Sequence, residues 1–285
     1  MRKLARTALA IGSALAAPIC GAAIASALSV TVLLQDAGKA ADALRGADVI
    51  VLGEVHDNPL HHVNQAELLK SLQPKAVVWE MITQDQAAGL APQLLEDAER
   101  TARYLQWDQS GWPDFSLYAP VFAAAKGARQ YGALVPRSEA SRALEQGVAA
   151  YFGAEAAARF GLAQPLPEAE QAAREADQLA NHCDAMPAEM LPVLVEFQRL
   201  RDAVLAAAVD RALEDTGGPV AVITGNGHAR TDRGLSVYLA KARPAAVLVS
   251  LGQSEDGGIS GAFDYVLDSA PVARPDPCLA FKSSG

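Results

Sequence analysis

Short, almost continuous apolar runs alternate with longer amphipathic stretches along most of the chain. The apolar runs are rich in valine and end in turn residues, at 48–52, 76–79, 132–135, 220–224, 245–251 and 263–267. They lack the alternation of polar and apolar residues that a strand with one solvent-facing side shows. The pattern therefore predicts strands that are covered on both faces, as in a mostly parallel sheet.

Helical stretches lie between these runs, at 60–72, 115–130, 138–152, 168–182 and 188–215. The first follows Asn58-Pro59, a good N-cap residue with proline at the first helical position. Because no strand is predicted between 151 and 214, we expect a helical lobe over about 151–215 that packs on the sheet. The predicted fold is α/β, with a central, mostly parallel sheet flanked by helices and a helical insertion in the middle of the chain.

The N-terminus has the parts of a secretory signal peptide. A basic head is followed by an apolar run over 8–17 and an A-x-A sequence at 25–27. The apolar run is shorter than the roughly 20 residues that a membrane-spanning helix needs. We expect a periplasmic protein from which residues 1–27 are removed, so that 28–285 form one domain. The alternative is a membrane anchor formed by an uncleaved N-terminus.

The charge of the chain argues against some partners. The formal net charge is −9, and it becomes −12 when the three positive charges of the expected signal peptide are removed. A strongly acidic protein is a poor match for nucleic acid or for an anionic membrane surface. We expect no nucleic-acid partner.

Two cysteines, Cys183 and Cys278, remain after the expected cleavage. An even number of cysteines in an exported protein predicts a disulfide, because the compartment is oxidising. The bond would tie the C-terminal tail to the helical lobe. The alternative is a pair of unpaired thiols in the core.

Two histidines occupy matching turns. Each follows a predicted strand with the spacing Gly-x-x-His, from Gly53 to His56 and from Gly225 to His228. Glycine after a strand permits the tight backbone that directs a following side chain back over the sheet end. In open α/β sheets, ligands sit in the crevice beyond the carboxyl ends of the strands. We therefore expect both imidazoles to face one cavity.

Glutamates complete this cluster, since Glu54 lies within the first turn and Glu80 follows the predicted strand at 76–79. Imidazole and carboxylate suit a divalent metal such as Zn, Mn or Fe, with His56, His228 and Glu80 as ligands. Without a metal, the same groups form an acid–base set. The alternative is that each histidine only satisfies a backbone group at a strand end.

Several other site types are excluded. Arg230 stands where a dinucleotide-binding fingerprint that includes Gly225 needs Gly or Ala. The chain has no G-x-S-x-G elbow, no phosphate loop, no C-x-x-C and no H-E-x-x-H.

Of His61 and His62, in the first turn of a predicted helix, we expect one to face the site and the other to be solvated.

The sequence from 52 to 62, together with 225–230, resembles the ChaN-like haem-binding uptake proteins. Their superfamily includes the TIKI/TraB proteins and the erythromycin-esterase-like hydrolases. The resemblance implies an exported haem binder associated with iron acquisition, with haem at a dimer interface and tyrosine ligation. It also implies a relation to metal-dependent proteases that use paired G-x-x-H turns, and to esterases whose His and Glu residues activate water.

The resemblance also suggests roles for individual residues. Tyr118 is the expected haem ligand because it follows a Trp-Pro motif, and Arg230 is expected to pair with a haem propionate. Gln198 and Asp202 lie one turn apart on the longest helix, where they either support the histidines or form a solvated stripe. The expected supporting residues are Gly53, Asn58, His61, Gln198, Asp202, Gly225 and Asn226.

Two functions remain open at this point. The first is a periplasmic haem-binding protein linked to haem or iron acquisition, with haem or another small molecule as ligand and a homodimer holding haem at its interface. The second is a metal-dependent hydrolase of peptidase or esterase type, with Glu54, His56, Glu80 and His228 as catalytic residues. A third hypothesis is a binding module that has the same fold but no catalytic activity. The residues alone do not decide whether the protein is an enzyme.

Overall fold

The computed structural model of the chain describes residues 32–34, 36–276 and 278–279. The expected signal peptide, residues 1–27, lies outside these ranges. Over the described residues, no helix combines the length and the apolar character that a membrane span requires.

A single sheet of seven strands forms the centre of the described structure. The strands are β1 (Val32–Leu34), β2 (Val49–Leu52), β3 (Ala76–Trp79), β4 (Arg129–Gly132), β5 (Val220–Ile223), β6 (Leu248–Glu255) and β7 (Tyr265–Ser269). Their order across the sheet is β1-β7-β6-β2-β5-β3-β4, and every pairing is parallel. The predicted α/β fold with a parallel sheet is confirmed.

Helices connect the strands and cover both faces of the sheet. They are α1 (Ala37–Leu44), α2 (Pro59–Leu72), α3 (Gln84–Ala88), α4 (Pro92–Leu95), α5 (Ala98–Leu105), α6 (Phe115–Ala124), α7 (Arg137–Gln146), α8 (Val148–Phe152), α9 (Ala154–Phe160), α10 (Glu168–Asn181), α11 (Leu191–Thr216), α12 (Asn226–Ala229) and α13 (Leu235–Ala242). Short 3₁₀ turns lie at Trp107–Gln109 and Ala188–Met190.

The central strands are buried on both faces, as the apolar runs predict. Successive residues of β2 alternate between two cores: Ile50 belongs to the core under α2 and α6, and Val51 to the core under α11 and α13. All four residues of each of β2, β3 and β5 are buried. A strand covered in this way has no side exposed to water, which explains why its sequence shows no polar alternation.

The long helix predicted at 115–130 is shorter in the structure. Helix α6 ends at Ala124, and the chain then turns into β4, which pairs with β3. Gln130 accepts a hydrogen bond from the buried Trp79 indole at 2.7 Å, and Tyr131 is buried in the opposite core. These contacts across the sheet outweigh the local helical preference of the segment.

Other boundaries also differ from the predicted ones. The strand predicted at 132–135 lies three residues earlier, and β6 and β7 begin and end later than predicted. Strand β1 was not predicted, and it pairs with β7 at the edge of the sheet. The helix predicted at 138–152 is divided into α7 and α8 at Gly147, whose φ of 81° is left-handed.

The predicted helical lobe contains, among its described residues, helices joined by loops and no strand. Between 151 and 215 the described residues form the end of α8, then α9, α10 and most of α11. The predicted disulfide is also confirmed, because Cys183 after α10 is bonded to Cys278. It joins the C-terminal tail to the lobe across a sequence separation of 95 residues.

Candidate functional site

The strand order explains how distant parts of the sequence reach one place. Strand β5 lies between β2 and β3, and Ile223 at its end pairs with both Leu52 and Trp79. The residues that follow these three strands therefore leave the sheet at one edge. Glu54 and His56 follow β2, Glu80 follows β3, and the turn with His228 follows β5.

The first histidine is held by a buried carboxylate. His56 donates from Nδ1 to Glu54 Oε1 at 2.8 Å, and the hydroxyl of Tyr118 donates to the same oxygen at 2.8 Å. The His56 side chain is 35% exposed, and its ring lies against Trp112 with 4.9 Å between centroids. Burial alone would lower the pKa of His56, but the hydrogen bond to Glu54 and the charge of Glu80 raise it above its ordinary value.

A further histidine supports the same glutamate. His62 donates from Nε2 to the carbonyl of His56 at 2.8 Å, and its Nδ1 lies 3.5 Å from Glu54 Oε2. Neither His62 Nδ1 nor Glu54 Oε2 has a hydrogen-bond partner in the described part of the chain. Both His61 and His62 are buried, so the expectation that one of them is solvated is wrong. The reason is that α2 packs its first turn beneath the His56 turn.

The second histidine lies deeper, between two carboxylates. His228 donates from Nδ1 to Asp202 Oδ1 at 2.6 Å, and its Nε2 lies 3.6 Å from Glu80 Oε1. The amide nitrogen of Gln198 lies 3.1 and 3.2 Å from the two ring nitrogens. Burial raises the pKa of Asp202, and the interaction with His228 offsets only part of this effect. Gln198 and Asp202 on α11 therefore face the site.

Glu80 is a buried carboxylate that several donors and positive charges surround. Its Oε2 accepts hydrogen bonds from Thr224 Oγ at 2.6 Å and from the backbone of Gly225 at 2.7 Å, while Oε1 accepts from Arg201. Burial would raise the pKa of Glu80, but His228, Arg201 and His56 together lower it to about 2. Glu80 is therefore a carboxylate at any physiological pH.

The two G-x-x-H turns fit into one another. A Cβ at Gly225 would lie 2.9 Å from His56 Nε2, and a Cβ at Gly53 would overlap Asn226 Oδ1 and lie 3.1 Å from the Cβ of Ala229. Asn226 also donates from its backbone to the carbonyl of Glu54 at 2.9 Å. Each glycine thus makes room for the other turn, which is a structural reason for the matching spacing.

The remaining supporting residues position the first turn. Asn58 caps α2 by accepting from the Leu60 backbone at 2.9 Å and donates to Glu255 at 2.6 Å. His61 accepts at Nδ1 from the backbone of Val55 at 2.8 Å, and burial lowers its pKa. Both residues therefore hold the backbone around His56 and do not face the cavity.

A cavity of about 330 Å³ lies above these groups. It is lined by both turns together with Glu80, Gln198 and Arg201. His56 and His228, 172 positions apart in sequence, thus face one space with Glu80 beside them, as the topology argument predicts. The arrangement offers two carboxylate-bound imidazoles and one guanidinium to whatever enters.

Of the two residues expected to contact haem, Tyr118 is buried away from the cavity, whereas Arg230 lines a neighbouring cavity. Tyr118 is fully buried, its hydroxyl is bonded to Glu54, and burial raises the pKa of the phenol above its ordinary value. Its oxygen is not reachable by a haem iron in this structure, so Tyr118 supports Glu54 instead. Arg230 pairs with Asp232 through two hydrogen bonds of 2.9 and 2.6 Å and lines a neighbouring cavity.

The predicted metal site of His56, His228 and Glu80 does not fit a divalent ion. The described ranges contain no group of three or more His, Cys, Asp and Glu side chains that could hold a metal ion. The guanidinium of Arg201 contacts Glu80 Oε1, and a cation in that position competes directly with a metal. The three side chains therefore do not form a shared site for a divalent ion.

Sequence reasoning missed Arg201 and Trp112 as members of the site, and it expected only one of His61 and His62 there. Arg201 lies on α11 next to Asp202 and three residues after Gln198. Residues three apart share a helix face, so this spacing could have predicted that Arg201 faces the site as Gln198 does. Trp112 lies in a loop, where no periodic pattern indicates its contact with His56.

The chain matches the family model described as haem-binding uptake, Tiki superfamily, ChaN, over residues 40–239. Among solved structures it is similar to one described as cofacial haem binding to ChaN of Campylobacter jejuni, at 21% identity and a TM-score of 0.63, over 80% of this chain and 90% of that one. A type III effector, HopBA1, is similar at 14% identity and a TM-score of 0.44, over 82% and 92% of the two chains. No protein of curated function matches significantly.

Proposed function

Because the chain belongs to the haem-binding uptake family of ChaN in the Tiki superfamily, we propose that it binds haem and serves haem or iron acquisition. The observation that carries the proposal is the presentation of His56. Its Nδ1 is bonded to Glu54, while its Nε2 has no hydrogen-bond partner among the residues described and lies at the cavity wall beside Gly225.

This arrangement suits an iron ligand. When the ring is neutral, the proton on Nδ1 is held by the Glu54 carboxylate and the lone pair is on Nε2. Metal-ligating histidines commonly donate their other ring nitrogen to a carboxylate in this way, and imidazole is a common ligand of haem iron. Haem, when bound, supplies the iron that the imidazole ligates. His56 replaces Tyr118 as the expected ligand, and the Trp112 ring lies against it at an angle of 60°.

The proposal includes a periplasmic location and a homodimer with haem at the interface. The sequence of residues 1–27 supports export, and so does the disulfide between Cys183 and Cys278, because such bonds persist in oxidising compartments. For the dimer, the support is the description of cofacial haem binding for the Campylobacter jejuni protein.

A haem titration followed at the Soret band tests the proposal. We expect saturation near one haem per chain, and an affinity at least tenfold lower for His56→Ala. Tyr118→Phe keeps the imidazole and removes only a hydroxyl, so its affinity should fall less. Equal titration curves for wild type and His56→Ala, or a larger loss for Tyr118→Phe, would contradict this ligand assignment. Absence of saturable haem binding would contradict the function.

A second function is favoured by one specific observation, the 2.6 Å contact between Asp202 and His228. Asp202 fixes the ring so that Nε2 faces Glu80, and an imidazole held by a buried carboxylate is the base of many hydrolases. We therefore propose acid–base hydrolysis without a metal as the alternative. It predicts turnover of ester or peptide substrates that resists chelators and is lost in His228→Ala. Equal turnover by wild type and His228→Ala would contradict it.

A further inference from the structure

A second cavity, of about 490 Å³, lies between the helical lobe and the turn that carries His228. We call it the arginine chamber, because Arg174 of α10 and Arg230 and Arg233 of the segment after α12 line it. Gln198 and Gly227 line both this chamber and the histidine cavity. The two spaces are therefore adjacent, and Gln198 and Gly227 lie between them.

Arg174 is a buried residue of the chamber with unsatisfied hydrogen-bonding groups. It is 8% exposed, and it donates from Nε to Glu170 Oε1 at 2.8 Å. Its terminal nitrogens, which carry four N–H groups, have no hydrogen-bond partner within the described ranges. These nitrogens are not fully shielded from solvent, and Arg174 lines the chamber, so they face its interior. Unpaired donors on a buried guanidinium are costly, and a ligand that accepts them is strongly favoured.

The other two arginines place positive charge inside the chamber. The side chains of all three arginines are at most 18% exposed, whereas their partners Asp177, Asp232 and Glu170 are 34–52% exposed. The carboxylates thus lie toward solvent, where water screens them, and the guanidinium groups lie toward the interior. The three guanidinium groups thus bring positive charge into the chamber, beside the carboxylates of Asp177 and Asp202 that also line it.

We propose that the arginine chamber binds a carboxylate group of a small ligand whose body extends into the histidine cavity. A guanidinium with free terminal nitrogens matches a carboxylate in bidentate geometry. A doubly charged phosphate is a poorer match, because Asp177 and Asp202 also line the chamber and repel it more strongly. The carboxylate has two sources: a haem propionate, an identification that rests on the proposed function, or a free dicarboxylate.

The first experiment compares haem with haem dimethyl ester, in which both propionates are esterified. We expect the wild-type protein to bind haem at least tenfold more tightly than the ester. Arg174→Gln should lose this preference while its affinity for the ester stays unchanged. Arg142→Gln is the matched control, because it removes the same charge from an exposed arginine of α7. Equal affinities in wild type, or a preference retained in Arg174→Gln, would show that propionates are not bound here.

The second experiment uses no haem and measures binding of glutarate and of inorganic phosphate by calorimetry. Glutarate binding that is lost in Arg174→Gln and kept in Arg142→Gln supports the chamber even if haem does not bind, in which case the proposed function fails and this inference stands. Phosphate binding as tight as glutarate contradicts the carboxylate assignment. If neither glutarate nor the haem propionates are recognised, the inference is overturned.

A folding control accompanies both experiments, because Arg174 is buried. Thermal melting identifies a variant that is unfolded at the assay temperature. Arg233→Gln then takes the place of Arg174→Gln, since its side chain is more exposed and pairs with the half-exposed Asp177. It should weaken carboxylate binding in the same direction and to a smaller extent.

Discussion

The turns of His56 and His228 have the same spacing, but their histidines lie in different environments. The His56 side chain is 35% exposed and has one carboxylate partner, whereas that of His228 is 5% exposed and lies between Asp202 and Glu80. The difference comes from the neighbouring helix: α11 covers the second turn and leaves the first open. The same local motif thus presents one imidazole to a ligand and holds the other in a buried network.

The largest expected effect is the loss of stability in His228→Ala, which we compare with the loss in His56→Ala. His228→Ala leaves the buried Asp202 without its hydrogen-bond partner, and we expect a loss of roughly 3 kcal/mol in the free energy of unfolding. His56→Ala removes a half-exposed ring, and we expect about 1 kcal/mol. Urea denaturation at neutral pH measures both. Equal losses would contradict the difference in environment.

The next effect concerns Glu80, which lies beside both turns. Its pKa falls from 4.5 to about 2 on folding, so it contributes on the order of 3 kcal/mol of stability above pH 4.5. This contribution is lost as the pH falls from about 4.5 through about 2, because the unfolded chain then takes up the proton first. Glu80→Gln should be less stable at pH 7, and its difference from wild type should shrink toward pH 2. A difference that is constant over this range would contradict the assigned pKa.

The smallest effect comes from adding one methyl group to each turn. Gly53→Ala brings a Cβ against Asn226 and the backbone of Leu251, which are held by the fold, and we expect a loss of about 1–3 kcal/mol. Gly225→Ala brings a Cβ against the His56 ring, which is able to move toward solvent, and we expect less than about 1 kcal/mol. Gly225→Ala should weaken haem binding instead. Thermal melting should show the larger loss of stability for Gly53→Ala. Haem titration should show the larger loss of affinity for Gly225→Ala.

The parts of the fold that the sequence predicted well are those where one interaction dominates. The strands β2, β3 and β5 were located to within a residue, since they are short, valine-rich and covered on both faces. In contrast, β4 carries Arg129 and Gln130 and contacts its core mainly through Tyr131, so its sequence resembles the end of a helix. Edge strand β1 was missed because three mostly exposed residues give no periodic signal.

The residues of the site also divide into those that the sequence predicts and those that it misses. The residues Glu54, His56, Glu80 and His228 follow strands, and strand ends in a parallel sheet converge, so the sequence predicts their meeting. Arg201 and His62 come from helices, whose rotation about their own axes depends on packing of the whole molecule. Tyr118 was expected at a haem surface because it follows a Trp-Pro motif, but the packing of α6 directs it into the core beneath Glu54.

Electron paramagnetic resonance of the ferric haem complex, prepared with ¹⁵N-labelled histidine, tests the assignment of His56 most directly. We predict a hyperfine coupling from one histidine nitrogen in the wild-type protein that is absent in His56→Ala and retained in His228→Ala. A complex without histidine coupling, or a coupling that survives in His56→Ala, would contradict this assignment.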